Sequence, residues 1–229
     1  MPVLAARALI ERIDEFFDGV FAPLFDWLPD LQRALAQRLA SGLLTGAEVV
    51  SITEDRAHRI LAETDRPLYG VGYCATTDMV AEGNPLAWWQ GPDQSLLASS
   101  TFGPGQAAID LQRLEWYRVP AATLQPHLAG PFVDYLCSNE ITMTSTVPVM
   151  IDGAFSGVAC ADVLVESLEP LLLPEVARLG AAALVNASGR VILASDPGLE
   201  TGDRLPVSWG LARREPSERY PFALVIAGI

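Results

Sequence analysis

Two long β-rich segments, joined by an Asp-Gly step, lie in the second half of the chain and constrain its fold more than any other feature. Residues 141–150 (ITMTSTVPVM) and 154–165 (AFSGVACADVLV) are rich in β-branched and small apolar side chains. The dipeptide Asp152-Gly153 between them suits a two-residue hairpin turn, which requires positive φ at both positions. We therefore predict an antiparallel hairpin here.

Further regular elements are predicted on both sides of this hairpin. From Val3 to about Leu43 the apolar residues recur at helical spacing, which predicts one long amphipathic helix, or two helices interrupted near Pro23 and Pro29. The other predictions are helices at 47–64 and 165–180, strands at 67–77, 86–90 and 220–229, a hairpin at 182–195, and a Gly/Pro/Ser-rich loop at 91–105. A long helix followed by antiparallel strands with short helical crossovers predicts an α+β domain.

This order of elements suggests how the chain is divided. Residues 1–66 are expected to form an N-terminal helical segment that packs on a domain of residues 67–229, and the two make one structural unit. The apolar stripe of the first helix has two interpretations. It packs only against its own domain, or it also forms the seam of a homodimer.

The charge of the chain excludes several functions. A formal net charge of −13 disfavours direct contact with nucleic acid or with an anionic membrane. The basic residues are all Arg, which excludes lysine Schiff bases and phosphate-loop lysines. The sequence has neither the basic start and apolar run of a signal peptide nor a window of about 18 uncharged apolar residues. We therefore expect a cytoplasmic protein.

Few residues commonly used in catalysis or metal binding are present. Cys74, Cys137 and Cys160 lack the spacing of a metal site and are predicted to be reduced and semi-buried. His58 is expected on a solvated helix face and His127 in a loop. The sequence contains neither a Gly-x-Ser-x-Gly elbow nor a complete GxGxxG fingerprint. Neither a cofactor nor a metal ion is expected.

A set of aromatic and acidic residues is more informative. Asp162 interrupts an apolar strand, and a buried carboxylate without a partner is costly, so it is either the N-cap of the next helix or the counter-charge of a bound cation. Asp134, after a Gly-Pro step, forms an Asx-type turn or contacts a ligand. Trp116 and Tyr117, shortly before Pro120, are either core aromatics or ligand contacts.

In their order and spacing these residues resemble the Cache family of sensor domains. The segments that carry the resemblance are Trp116, 131–135 (PFVDY), 141–149 (ITMTSTVPV), 152–163 (DGAFSGVACADV), 184–192 (LVNASGRVI) and 67–73 (PLYGVGY). The resemblance implies a PAS-like antiparallel sheet with a long N-terminal helix beside it. It also implies a pocket for a small molecule on one face of that sheet.

The resemblance implies a set of ligand-binding residues. Trp116 and Tyr117 match the family's Trp-Tyr pair, and Asp134 and Asp162 match its two acids. The full predicted set is Tyr73, Arg113, Trp116, Tyr117, Asp134, Thr144 and Asp162.

Two positions depart from the family's amino-acid binders. Phe132 replaces a Tyr, and Arg113 lies one residue too far from Trp116 to match the family's Arg. Because both acids are kept, an amine-like or neutral ligand is favoured over a free amino acid.

We thus predict a sensor for signal transduction that binds an amine, amino acid or related small metabolite. It relays its ligand state to a separate regulator or transcriptional partner, forms a homodimer through the N-terminal helix, and is not an enzyme. One alternative is a small hydrolase or transferase that uses Asp134 and Asp162 as acid and base. Another is a structural dimerisation domain without a ligand.

Overall fold

The computed structural model describes residues 2–97, 110–135, 138–209 and 212–228, without the side chains of residues 2, 3 and 208. Cys137 and the predicted loop beyond residue 97 lie outside these ranges. The described helices are α1 (Pro2–Leu39), α2 (Gly46–Glu63), α3 (Glu115–Thr123) and α4 (Val165–Ala177). The described strands are β1 (Leu44–Thr45), β2 (Gly70–Ala75), β3 (Val80–Glu82), β4 (Leu86–Gln90), β5 (Ser95–Leu96), β6 (His127–Val133), β7 (Ile141–Ile151), β8 (Ala154–Leu164), β9 (Ala182–Asn186), β10 (Val191–Ala194), β11 (Arg213–Pro216) and β12 (Phe222–Ile226).

The chain divides into two compact units, each built from separate segments. The central unit contains Gly19–Ala129 and Thr144–Asp162. The C-terminal unit contains Met1–Asp18, Gly130–Met143 and Val163–Ile229. The boundary expected at residue 66 lies inside the central unit, because α1 and the β7–β8 hairpin are long enough to contribute residues to both units.

Most of a six-stranded sheet, with the order β5-β4-β2-β8-β7-β6, belongs to the central unit. Strand β2 pairs antiparallel with both β4 and β8. Helix α2 packs on β2 and β4, and the ring of His58 lies edge-on to that of Trp89 with 5.5 Å between ring centres. The expectation of a solvated His58 is wrong, since the ring is half-buried against this tryptophan.

Helix α2 begins at a complete capping box, which explains where it starts. The Thr45 hydroxyl accepts the Glu48 N–H at 3.3 Å, and the Glu48 carboxylate accepts the Thr45 N–H at 2.8 Å. Arg38 donates two hydrogen bonds to the same carboxylate at 2.6 and 2.7 Å. The helix predicted at 47–64 is thereby confirmed at Gly46–Glu63.

The C-terminal unit contains a four-stranded antiparallel sheet of order β10-β9-β12-β11. The start of α1 packs in the same unit, where Phe17 lies 5.8 Å from the ring centres of both Tyr220 and Phe222. Ser217 donates to the buried carboxylate of Asp14 at 2.6 Å, and Tyr220 donates to Asp18 at 2.7 Å. These contacts hold the fourth and fifth turns of α1 within the C-terminal unit.

Both predicted hairpins are confirmed. At the β7–β8 turn, Asp152 and Gly153 have φ of 50° and 80°, as a type I′ turn requires. At the β9–β10 turn, the Asn186 side-chain oxygen accepts the N–H groups of Ser188 and Arg190 at 3.0 and 2.9 Å. Side-chain acceptors of this kind hold a turn closed.

Of the two alternatives for the N-terminal segment, the single long helix is confirmed. Helix α1 runs unbroken through Pro23 and Pro29, because its buried apolar residues, among them Val20, Leu24, Trp27 and Leu31, hold the helix despite the lost main-chain hydrogen bonds. Helix α3, which was not among the predicted helices, also continues through its Pro120. Within the described ranges, no helix is both long and apolar enough to cross a membrane.

Candidate ligand-binding site

The strand register divides the side chains of the six-stranded sheet between two faces. Gly70 pairs with Gln90 and Asp162, and Gly72 pairs with Trp88 and Cys160. Since side chains alternate along a strand, these residues lie on one face, which we call the Asp162 face. Val71, Tyr73 and Trp89 point to the opposite face, where His58 of α2 contacts Trp89.

Asp162 is buried in the middle of this sheet and is held by a hydroxyl group. It is 3% exposed, and the Thr144 Oγ1 donates to its Oδ1 at 2.6 Å. Its main-chain carbonyl accepts the N–H of Tyr69 at 2.8 Å. The N-cap interpretation of Asp162 is wrong, because Asp162 lies within β8 and α4 is preceded by Leu164 without a side-chain cap. Two predicted site residues, Thr144 and Asp162, are thus in direct contact.

Trp116 and Tyr117 open α3 and pack in an aromatic group with Phe155. The Trp116 and Tyr117 rings are 6.1 Å apart, and Tyr117 lies edge-on to Phe155 at 5.6 Å. Burial raises the pKa of Tyr117, and the neighbouring thiol of Cys74 adds to this shift. Cys74 stands on the Asp162 face, about 13 Å along β2 from Gly70 at roughly 3.3 Å per residue. The aromatic group therefore borders one end of β2, and Asp162 borders the other.

Two other predicted residues are placed away from this face. Tyr73 is fully buried on the opposite face, and its hydroxyl donates to the Ser156 carbonyl at 2.5 Å. The Arg113 side chain is 86% exposed and pairs with Asp110 at 3.0 Å. Tyr73 is therefore a core residue in this structure, and Arg113 takes part in a surface ion pair.

Asp134 lies in the C-terminal unit, directly after β6. It is buried, its N–H donates to the Glu140 carbonyl at 2.9 Å, and its own carbonyl accepts the Asn139 N–H at 2.8 Å. These main-chain contacts close the loop between β6 and β7. The other predicted residues all belong to the central unit.

Sequence analysis did not identify Trp88, although it stands beside Asp162. A Cβ added to Gly70 would lie 2.7 Å from the Trp88 Nε1, and a Cβ on Gly72 would lie 2.8 Å from its Cε3. The indole therefore lies flat across β2, which only two glycines at alternate positions permit. The Gly-Val-Gly sequence of β2 and the apolar sequence of β4 were the features from which this packing of Trp88 could have been predicted.

Both described thiols on this face are protonated. Cys74 and Cys160 are free and fully buried. Burial raises the pKa of Cys74 to about 12 and raises that of Cys160 well above its usual range. Among the described residues, no group of three or more His, Cys, Asp or Glu side chains could hold a metal ion.

His127 also differs from expectation. It begins strand β6 instead of lying in a loop, and its Nε2 is 3.0 Å from the Glu115 carboxylate at the start of α3. This pair joins α3 to β6 in the central unit.

Comparison with known proteins identifies relatives by structure only. No family model matches the chain, and no curated protein matches its sequence. The sensory domain of the Campylobacter jejuni chemoreceptor Tlp3, solved with isoleucine bound, superposes with a TM-score of 0.59 and 13% identity, over 96% of this chain and 89% of that one. The ligand-binding domain of the Pseudomonas aeruginosa amino-acid chemoreceptor PctC, in complex with GABA, superposes with a TM-score of 0.55 and 18% identity. This match covers 98% of this chain and 95% of that one. The chain therefore has the PAS-like α+β fold of Cache-type chemoreceptor sensory domains.

Proposed function

We propose that this chain is a sensor domain that binds a small ammonium compound, an amine or an amino acid, on the Asp162 face. The observation that carries the proposal is the buried pair of Thr144 and Asp162. A carboxylate fixed by a hydroxyl in a dry layer attracts a cation strongly, because charge-assisted hydrogen bonds there are stronger than in water.

The fold supports the same ligand class. The similar domains include one solved with isoleucine and one solved with GABA, and both compounds carry an ammonium group. Transferred to this chain, that group would take its place beside Asp162, and no catalytic nucleophile is needed for such binding.

The alternative enzyme would use Asp134 and Asp162 as acid and base. The buried thiols of Cys74 and Cys160 are protonated and so are poor nucleophiles. Binding without turnover therefore remains our proposal.

We further propose that the ligand state is passed to a separate regulator, that the protein forms a homodimer through α1, and that it acts in the cytoplasm. Phe17 and Phe21, which belong to the apolar stripe of α1, are buried within the chain itself. A dimer contact on α1 would instead use exposed residues of that helix, such as Phe25, which is 45% exposed.

A thermal-shift screen tests the proposed function. The purified protein is heated with amines, amino acids and matched uncharged alcohols, because a ligand that binds only the native state raises the melting temperature. We expect stabilisation by a subset of the ammonium compounds, and recovery of the best one unchanged by mass spectrometry. Conversion to a product that is abolished by Asp134→Asn would establish the enzyme instead, and a screen without any shift would refute ammonium sensing.

A further inference from the structure

The indole N–H of Trp88 is a buried donor for which the described residues provide no acceptor. Trp88 is 4% exposed, and its Nε1 has no hydrogen-bond partner among them. Buried polar groups in native proteins are almost always paired, and Trp side chains usually find a partner for this N–H. An unpaired indole N–H beside a candidate site therefore points to an acceptor that arrives with a ligand.

The position of this N–H relative to Asp162 follows from the strand register. Nε1 lies 2.7 Å from where a Cβ of Gly70 would be, and Gly70 is the cross-strand partner of Asp162. Because Cβ atoms of paired residues are about 5 Å apart, Nε1 is within about 8 Å of the Asp162 Cβ. A donor and a carboxylate thus flank one small region of the Asp162 face.

Together, the carboxylate and the indole N–H suit a ligand that carries an ammonium group and an acceptor oxygen close together. The carboxylate of Asp162 accepts from an ammonium group, and the indole N–H donates to an oxygen a few bonds away. Arg113, the residue expected to bind a ligand carboxylate, is paired with Asp110 at the surface. The indole N–H of Trp88 is therefore an unpaired donor that this face offers to a ligand oxygen.

We propose that Trp88 recognises the carboxylate or carbonyl oxygen of the ligand through its indole N–H, so that the site selects amines that carry such an acceptor over simple amines. This inference rests on the proposed function, since it requires an ammonium compound at Asp162. It reverses the preference for simple amines that the displaced Arg113 suggested. The property to measure is the ratio of the affinity for an amine that carries a carboxylate to the affinity for the matching simple amine.

Matched probe pairs separate this role from packing. L-Valine and isobutylamine, GABA and propylamine, and L-isoleucine and 2-methylbutylamine each differ only by a carboxylate. Calorimetry compares the wild type with Trp88→Phe, which keeps an aromatic ring but lacks the N–H. We expect at least a tenfold loss of affinity for the carboxylate member of the pair that binds, and less than a twofold change for its amine.

A matched control and a spectroscopic signal complete the experiment. Trp89→Phe alters the adjacent residue on the opposite face and should leave the selectivity unchanged. The indole N–H resonance of Trp88, assigned from its absence in Trp88→Phe, should move on addition of the carboxylate probe and stay in place with the amine. Gly70→Ala should reproduce the loss of selectivity, because the new methyl group displaces the indole.

The outcomes distinguish the inference from the function on which it rests. Equal losses for both members of a pair, or no loss, would show that Trp88 only packs, and the inference would be wrong. If Asp162→Asn abolishes binding while Trp88→Phe leaves the affinities for both members of the pair unchanged, the proposed function stands without the role of Trp88. If no probe binds the wild type, the ammonium-binding function fails, and the role of Trp88 fails with it.

Discussion

The hydrogen bond between Thr144 and Asp162 is the best-defined polar contact of the candidate site. Both side chains are buried, and the hydroxyl donates to the carboxylate at 2.6 Å. Hydrogen bonds to charged groups contribute about 1.5–3 kcal/mol, roughly twice the value for neutral pairs. Thr144 therefore has a role in stability as well as in orienting Asp162.

Removal of this hydroxyl should destabilise the fold measurably. We expect Thr144→Val to lower the free energy of unfolding by about 2 kcal/mol in urea titrations, and Thr144→Ser to restore most of it. Thr146→Val is the matched control, because the Thr146 hydroxyl donates to a neutral acceptor, the His127 carbonyl, at 3.0 Å. Thr146→Val should lower the free energy of unfolding by about 1 kcal/mol. Equal losses at the two positions would mean that the charge of Asp162 adds nothing.

The contact between these two residues could not be predicted from the turn alone. A straight hairpin with a two-residue turn pairs Ile151 with Ala154, which places Asp162 opposite Met143. The observed hydrogen bond requires Thr144 to lie on the same face of the sheet as Asp162. A shift of one residue in the register between β7 and β8 provides this placement. Gly157, with φ of 133°, lies on β8 between the turn and Asp162 and suits such an irregularity. The sequence predicts the hairpin, but such a shift depends on tertiary contacts.

At the scale of elements, the start of α2 is the most strongly determined feature. Arg38 and then the Thr45 N–H lower the pKa of Glu48 to about 2. The folded-state pKa is therefore below the ordinary value of about 4.5, so the contribution of Glu48 to stability is complete above that value. It is lost as the pH falls towards 2.

This pH dependence gives a direct test of the cap. Glu48→Gln should be less stable than the wild type at pH 7, and the difference should shrink as the pH falls from about 5 to 3. Urea unfolding of both proteins across this range measures it. Glu54→Gln, on the exposed side of the same helix, serves as the control and should show a smaller difference at every pH. A constant difference for Glu48→Gln would show that the carboxylate charge plays no part.

Helix periodicity predicted the long helix α1, whereas its prolines left open whether it is one helix or two. A proline removes one hydrogen bond, but a helix anchored by buried residues on both sides of the proline tolerates that loss. The same argument applies to Pro120 in α3. Apolar periodicity identified α1 as helical, whereas α3 was not among the predicted helices.

At the scale of the whole molecule, the division into two units was not visible in the sequence. Each unit is formed by segments far apart in the chain, and several strands contribute to both. The order of elements predicted the α+β class, and the resemblance to the Cache family implied the PAS-like sheet. They cannot show which segments gather into which unit, because that depends on contacts between distant residues.

The homodimer proposal can be tested on the outer side of α1. Phe25 is 45% exposed and stacks on Phe21 at 6.0 Å, whereas Phe17 is 1% exposed. We expect Phe25→Glu to remain folded and to shift a wild-type dimer to monomer in sedimentation experiments. Phe17→Glu should be poorly folded instead, since it places a charge in the core of the C-terminal unit. A wild type that sediments as monomer at high concentration would remove the dimer from the account.

Calorimetric titration of the best ammonium ligand into wild type and Asp162→Asn tests the central claim most directly. Asn keeps the size and one acceptor oxygen of Asp162 but cannot neutralise a cation, so the account predicts at least a tenfold weaker affinity with the fold intact. Asp152→Asn, at the exposed hairpin turn where Asn also tolerates positive φ, should bind like the wild type. An unchanged affinity in Asp162→Asn would contradict the claim that this carboxylate holds the ligand.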